Sequence, residues 1–353
     1  MRASWIPAAA LAALTFIFGA QARAGGPALV FDPTDGQVLY AEDADDQWHP
    51  ASLTKIMTAY LTFEAIKAGK LTLEQRIPYS AQAQIQPPMK LGLHVGATLT
   101  VDQALKSVII KSANDVAVVL AEAISGSQAE FSALMNRTAQ RLGMTRTQFV
   151  NASGLPAPMQ VTTARDLAKL ARAVVTEYPE HAPYWSMFNA KVGKILIGTH
   201  NGLLRSFEGA DGLKTGFTCD SGYNVVASAT RDGHRLMAVV LGESSGAKRT
   251  LRAATLLEHG FHSYGWKRLF NHAQSLDAME IASTAKPVTS VRKTVMSYDC
   301  GNAPVRKKIR KKDGVVKKKK DRAVDAFDVQ KAATPPAGDQ DEVAAGASAA
   351  KPQ

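Results

Sequence analysis

Residues 222–244, GYNVVASATRDGHRLMAVVLGES, hold two apolar runs rich in small and β-branched residues, joined by Arg231-Asp232-Gly233-His234. Asp-Gly between two such runs supplies the positive-φ turn of an antiparallel hairpin. A second hairpin signal, PALVFDPTDGQVLYAED, lies at residues 27–43 around Pro33-Thr34-Asp35-Gly36. Between the two the hydrophobic period lengthens from two residues to the 3.6 of an amphipathic helix. Helices are predicted over residues 52–68, over 98–124 on both sides of a break at KSAND, over 127–144 and over 162–178. A closing helix is predicted over 249–266. Strands near both ends and helices in the middle predict an α/β fold of the α+β kind. A largely antiparallel sheet is flanked by helices and interrupted by an inserted, mainly helical region.

The ends read differently. A positive residue at Arg2, an apolar run over residues 5–19 and the small-residue pattern Ala22-Arg23-Ala24 predict a secretory signal peptide over residues 1–24. Residues 25–272 are then the folded, catalytic part, and 273–353 a short extension followed by a disordered tail rich in basic, Ala and Pro residues. The net charge of +11 belongs mostly to that tail, because residues 306–322 alone hold eleven Lys/Arg against two Asp. A nearly neutral folded part argues against nucleic-acid binding. Export implies an oxidising compartment, yet there are only two cysteines, Cys219 and Cys300. One disulfide between them is possible, and spacing does not decide it. His259 and His262 share a helix face without a third ligand and read as surface or packing residues.

Three short motifs carry chemistry. Ser52-Leu53-Thr54-Lys55 puts a hydroxyl and an amine three residues apart at a helix start, ~300° around the helix and so on one face. The free N–H groups there could stabilise an oxyanion. Lys55 could act as a base if burial beside another cation lowers its pKa. Taken alone, the pattern is better read as a capped helix with a solvated lysine. Ser112-Ala113-Asn114 interrupts an apolar helix with residues that compete for backbone hydrogen bonds, as either a bend into a cleft or a plain polar turn. Lys214-Thr215-Gly216 precedes the 222–244 hairpin, and a glycine within a strand marks a place where a ligand or another backbone comes close.

In that order and at those spacings the three motifs are similar to the signature set of serine penicillin-recognising enzymes. With HPASLTKIMTAYL (49–61), KSANDVAVVLAE (111–122), FVNASGLP (149–156), HNGLL (200–204) and GADGLKTGFT (209–218), residues 26–266 resemble the low-molecular-mass penicillin-binding proteins. These are the serine-type D-Ala-D-Ala carboxypeptidases of the β-lactamase/transpeptidase-like superfamily. The resemblance implies Ser52 as nucleophile and Lys55 as its base. Ser112 relays a proton to the leaving amine, and Asn114 holds the substrate amide and orients Lys55. Lys214 keeps the site electropositive. Thr215 and Arg249 bind the substrate carboxylate, and Gly216 belongs to the same binding motif. The backbone N–H groups of Ser52 and Phe217 form the oxyanion hole. The substrate it implies is the peptidoglycan pentapeptide, β-lactams are inhibitors, and no metal or cofactor is called for. Periplasm or cell-wall space is the implied location, with the basic run holding the enzyme near an anionic membrane or wall surface or serving only as a spacer. Three other readings share the motifs: a cross-link endopeptidase, a class A-like β-lactamase and a non-catalytic wall-binding module. The β-lactamase reading lacks a Glu-x-x-x-Asn between the second and third motifs, since Glu177 and Glu180 do not fit it.

Overall fold

The computed structural model describes residues 25–269, 274–297 and 300–301 of the 353. The predicted signal peptide and basic tail lie outside these residues. Strands β1 (Ala28–Phe31) and β2 (Val38–Glu42) form the opening hairpin. A 3-10 turn over Ala51–Thr54 then leads into α1 (Lys55–Lys67). The regular helix therefore starts three residues later than the sequence pattern predicts. Ser52 is not its N-cap: that position is Thr54, and no side chain caps it.

A small hairpin of β3 (Arg76–Pro78) and β4 (Thr98–Thr100) brackets the short helix α2 (Ala81–Gln84). Thr98–Thr100 is strand where helix was predicted. The helix α3 (Val101–Lys106) begins only after Thr100, which caps it in a reciprocal box with Gln103. Next come α4 (Asn114–Ser125), α5 (Gln128–Arg141) and α6 (Ala164–Glu177). A short segment of α7 (Pro183–Ser186), the hairpin β5 (Asn189–Val192) with β6 (Ile195–Gly198), and α8 (Leu203–Ser206) follows. The chain closes with β7 (Ala210–Thr218), β8 (Gly222–Arg231), β9 (His234–Glu243) and the long α9 (Gly246–Leu269).

The main sheet has five antiparallel strands in the order β2-β1-β9-β8-β7. Alternation along the strands sends side chains to two separate cores. Leu29, Phe31, Val226, Met237, Val239 and Leu241 face α1, α4 and α6. Ala28, Val30, Val225, Ala227, Ala238 and Val240 face Ala253 and Leu257 of α9. Helix α1 lies at the centre of the larger core, with Ile56, Met57, Ala59, Tyr60, Leu61 and Phe63 all buried. Each such large apolar side chain contributes roughly 1.5–3 kcal/mol by leaving water, so the start of α1 is fixed from every side.

The extension after α9 wraps this body without forming strands. A single bridge, Gln37 with Ser275, is its one β-type pairing among the described residues. Scattered backbone hydrogen bonds, among them Leu276 N–H to the Gly36 carbonyl, Gln47 N–H to the Lys286 carbonyl and Met296 N–H to the Ser244 carbonyl, hold it together with side-chain ties. Arg165 donates to the carbonyls of Met279 and Glu280 and pairs with Asp45, whose carboxylate also accepts the Ala282 N–H. Leu276 and Val295 are buried against the body. Cys219 and Cys300 are joined in a disulfide, which closes the question that spacing left open.

Candidate active site

The tight turn over Ala51–Thr54 presents Ser52 to a cleft, and three neighbours hold the turn. Asn224 of β8 donates to the carbonyls of His49 and Pro50, Gln160 donates to Thr54 Oγ1, and Thr58 donates to the carbonyl of Ala152. Strand β7 packs directly against it. A Cβ on Gly216 would lie 3.0 Å from the Pro50 oxygen and 3.1 Å from the backbone nitrogens of Ser52 and Leu53. Glycine is required there because another backbone comes close. Gly154, at φ +81°, is pressed just as hard on the Ala51 carbonyl, with room for no side chain.

Lys55 is the first residue of α1 and is wholly buried. Its Nζ lies 3.1 Å from Ser52 Oγ, 2.8 Å from Asn114 Oδ1 and 2.6 Å from the Ser153 carbonyl. Among the described residues no carboxylate forms an ion pair with it. Asp115, the nearest influence of opposite sign, is occupied by donors from Tyr79 Oη and the backbone N–H groups of Leu91, Gly92 and Val116. Burial, and after it the charge of Lys214, holds the Lys55 amine well below its ordinary range; Asp115 opposes this only weakly. Loss of solvent is thus the first cause and the second cation the smaller one, the reverse of the emphasis that the sequence motifs suggest.

Ser112 and Asn114 come from a helix that has been broken. Helix α3 runs into a π turn over Ser107–Lys111, and Ser112 leaves it in the left-handed conformation at φ +65°. The π turn adds a residue to the helical register and turns Ser112 toward the cleft. Its Oγ has no hydrogen-bond partner among the described residues. Asn114 then opens α4 and is fixed by donating to the carbonyls of Pro87 and Pro88.

The third motif lies on β7, the edge strand of the sheet. Lys214 is buried with its Nζ on the Thr215 carbonyl. Burial and the neighbouring Arg249 pull its pKa down to about 7. Arg249, near the start of α9, is itself buried, donates to the His200 carbonyl and lies over the Tyr223 ring. Its pKa too is lowered by burial, though a guanidinium stays charged at any ordinary pH. Ser52, Ser112, Thr215, Gly216, Phe217 and Arg249 line one cavity of about 340 Å³. Lys55, Asn114 and Lys214 sit behind that wall. All nine residues singled out in the sequence thus converge on one cleft.

Met89, His200 and Tyr223 also line this cleft, and the Ser153 carbonyl anchors Lys55. The stretches HNGLL and FVNASGLP contain His200 and Ser153, so a signal for them existed; Tyr223 had none. Chemically, the cleft offers a hydroxyl beside a buried amine whose proton is weakly held, backbone N–H groups at the same turn, and Lys214 and Arg249 at one end. That combination suits acyl transfer from a substrate bearing a carboxylate.

Comparison with known proteins agrees. The sequence profile described as D-alanyl-D-alanine carboxypeptidase, of peptidase family S11, matches residues 16–245. The D-alanyl-D-alanine carboxypeptidase DacC of Escherichia coli is 39% identical over 67% of this chain, which spans only 61% of that protein's length. DacF of Bacillus subtilis is 30% identical over 82% of both chains. Among solved structures, penicillin-binding protein D2 of Listeria monocytogenes in its ampicillin-bound form is 33% identical with a TM-score of 0.60. That match covers 67% of this chain and 97% of the Listeria chain.

Proposed function

Because the chain belongs to the D-alanyl-D-alanine carboxypeptidase family of serine peptidases, we propose that it removes the terminal D-alanine from peptidoglycan stem peptides through an acyl-enzyme on Ser52. The observation that carries this reading is Lys55 Nζ at 3.1 Å from Ser52 Oγ, buried and with its pKa held well below the ordinary lysine range. Arg249 and Thr215 bind the substrate carboxylate, with Lys214 adding positive field. Lys55 takes the Ser52 proton as Oγ attacks the carbonyl of the penultimate D-alanine. The developing oxyanion is stabilised by the backbone N–H groups of Ser52 and Phe217. Ser112, whose Oγ has no hydrogen-bond partner among the described residues, relays the proton held by Lys55 to the leaving amine, so that free D-alanine departs and Lys55 can act as base again. Water, deprotonated by Lys55, then attacks the ester and restores Ser52. Asn114 holds Lys55 in register throughout and receives the substrate amide.

β-Lactams enter the same path, acylate Ser52 and leave slowly; the ampicillin complex of the Listeria relative supports this. The enzyme is exported, and residues 306–322 hold it at an anionic membrane or wall surface. Removing residues 306–353 is expected to shift it out of the membrane and wall fractions, and an unchanged distribution overturns that part. For the activity itself, a fluorescent penicillin is expected to label wild-type protein and not Ser52→Ala, and D-alanine is expected from a pentapeptide. Equal labelling of both proteins, or cross-link cleavage and penicillin turnover without D-alanine release, refutes the assignment.

A further inference from the structure

Gly25 and Gly26, just ahead of β1, are wedged where β9 and α9 meet. Gly26 donates to the Leu241 carbonyl at 3.0 Å and Leu241 donates to the Pro27 carbonyl at 2.9 Å, so the β1–β9 pairing is carried back to this point. A Cβ on Gly26 would lie 2.9 Å from both the Leu241 oxygen and the Trp48 ring. Gly25 has φ +114°, and a Cβ there would lie 2.5 Å from Glu243 Oε1 and collide with Arg252 Nη1. The fold thus seats this stretch closely and leaves room only for glycine.

Glu243, the last residue of β9, is the unusual member of the corner. It is only 4 % exposed. Among the described residues one hydrogen bond reaches its carboxylate, from Arg252 Nη1 to Oε1 at 3.1 Å, and Oε2 accepts none. Arg252 is itself divided. Its Nη1 also donates to the Gly26 carbonyl at 2.9 Å, and its Nη2 pairs with Glu42 at 2.8 Å. A carboxylate has about four acceptor sites, so a buried one served by a single shared cation is short of donors. The corner also adjoins the serine turn. Gly242 donates to Asn224 Oδ1, and Asn224 holds the carbonyls of His49 and Pro50.

Gly25 directly follows Ala22-Arg23-Ala24. Hydrolysis of the Ala24–Gly25 amide by an endopeptidase that cuts after small residues adds water across that bond. It leaves a carboxylate on Ala24 and an ammonium on Gly25. We infer that export processing cuts at this bond and that the new α-ammonium docks on Glu243 Oε2, fastening the amino terminus to β9. The nitrogen is one bond of ~1.5 Å from the Gly25 Cα, so rotation of ψ at Gly25 carries it to the carboxylate. Before the cut the same nitrogen is an uncharged amide with one N–H; afterwards it brings a charge and three donors. The ion pair therefore exists only in processed enzyme. The inference rests on the export reading above and adds to it a cleavage point and a binding site for the end that cleavage creates.

The test begins with the intact mass and amino-terminal sequence of enzyme recovered from outside the cytoplasm, where Gly25 is expected as the first residue. The terminal amine is then converted to an aldehyde by transamination with pyridoxal phosphate, in wild type and in Glu243→Gln. Thermal midpoints are compared at about pH 6.5, where an α-amine is charged. Loss of the amine is expected to lower the wild-type midpoint by roughly 2–4 °C, the shift that one partly buried ion pair gives in a domain of this size. Removing the amine from Glu243→Gln is expected to add less than about 1 °C, because the partner is already gone. Full additivity of the two losses overturns the pairing. An unchanged midpoint in wild type overturns it as well, without recourse to the variant. A processed chain that starts at any other residue overturns this inference and leaves export standing, whereas a chain that still starts at Met1 overturns both.

Discussion

Two buried charged centres in this molecule are built on opposite plans. At one side of the sheet Arg165 and Asp45 are both nearly solvent-free, pair directly, and share further hydrogen bonds with the extension. In the cleft, Lys55, Lys214 and Arg249 are also buried, yet among the described residues none of them has an ion pair with a carboxylate. The one carboxylate close enough to matter, Asp115, is taken up by four donors of its own. The first centre spends its charges on holding chain segments together. The second leaves cations uncompensated, and the consequence is amines whose protons are weakly held. Buried charge alone does not mark function here; buried charge of one sign does.

The largest effect should come from removing the base. Lys55→Met is expected to slow acylation of Ser52 by about 10³- to 10⁴-fold, the upper range for a positioned general base, measured as the second-order rate constant with a fluorescent penicillin. A loss under tenfold would mean that Ser52 is activated by another group, and the comparison above would lose its meaning. Arg165→Met should act in the opposite manner. It leaves Asp45 as an unpaired buried acid, so stability is expected to fall by about 3–5 kcal/mol in denaturant titration. Folded protein should still acylate at close to the wild-type rate. Slow acylation by folded Arg165→Met would show that the two centres are coupled through the extension.

The disulfide offers an intermediate test. Cys219 and Cys300 are 81 positions apart, and the bond closes a loop that contains the whole of β8, β9 and α9. Replacing both by serine is expected to cost about 2–4 kcal/mol, read as a lower denaturation midpoint. Because the ties of Arg165 to Met279 and Glu280 lie earlier in the extension, that part should remain docked; chiefly the end carrying Ser290 to Cys300 loosens. Hydrogen exchange confined to residues 290–300 would agree, and exchange spreading to 279–282 would not.

How much of this was legible in the sequence follows from which interactions are local. The hairpins at 27–43 and 222–244 announce themselves through turn residues and strand period, and both are present. The three motifs were legible because a nucleophile, a base and a helix break each have a short-range signature. The π turn before Ser112 was visible only as a misfit, two polar residues in an apolar helix, without its geometry. The bounds of β4 and α1 were misjudged because apolar periodicity continues through Thr98–Thr100 and Ala51–Thr54, while capping and the tight turn decide where the helix begins. Asn224 pinning the serine turn, and Asp45 reaching Arg165 and Ala282, join residues more than a hundred positions apart and have no local signal. The extension had none either, since it is held by scattered backbone bonds and side-chain ties without a repeating pattern.

The smallest predicted effect is also the one whose sign separates the two centres most cleanly. Lys214 has a pKa of about 7 in the folded protein against an ordinary lysine value of 10.5 in the unfolded chain. Between those two values the unfolded state binds more protons than the folded one, so this residue makes stability rise with pH across that window. Below pH 7 both states are protonated and the full penalty of burying the charge is present. Lys214→Met removes the penalty at the expense of the one hydrogen bond to Thr215. It is therefore expected to be more stable than wild type at pH 6 by roughly 1–3 kcal/mol, less than the whole shift because a carbonyl loses its donor. The advantage should shrink toward pH 10 in thermal scans at the two pH values. The same variant should acylate more slowly at neutral pH, since the Lys55 amine keeps its proton more tightly once the second cation is gone. A variant that is less stable than wild type at pH 6 would place a compensating anion beside Lys214, and the distinction between the paired and the unpaired centre would fail at that residue.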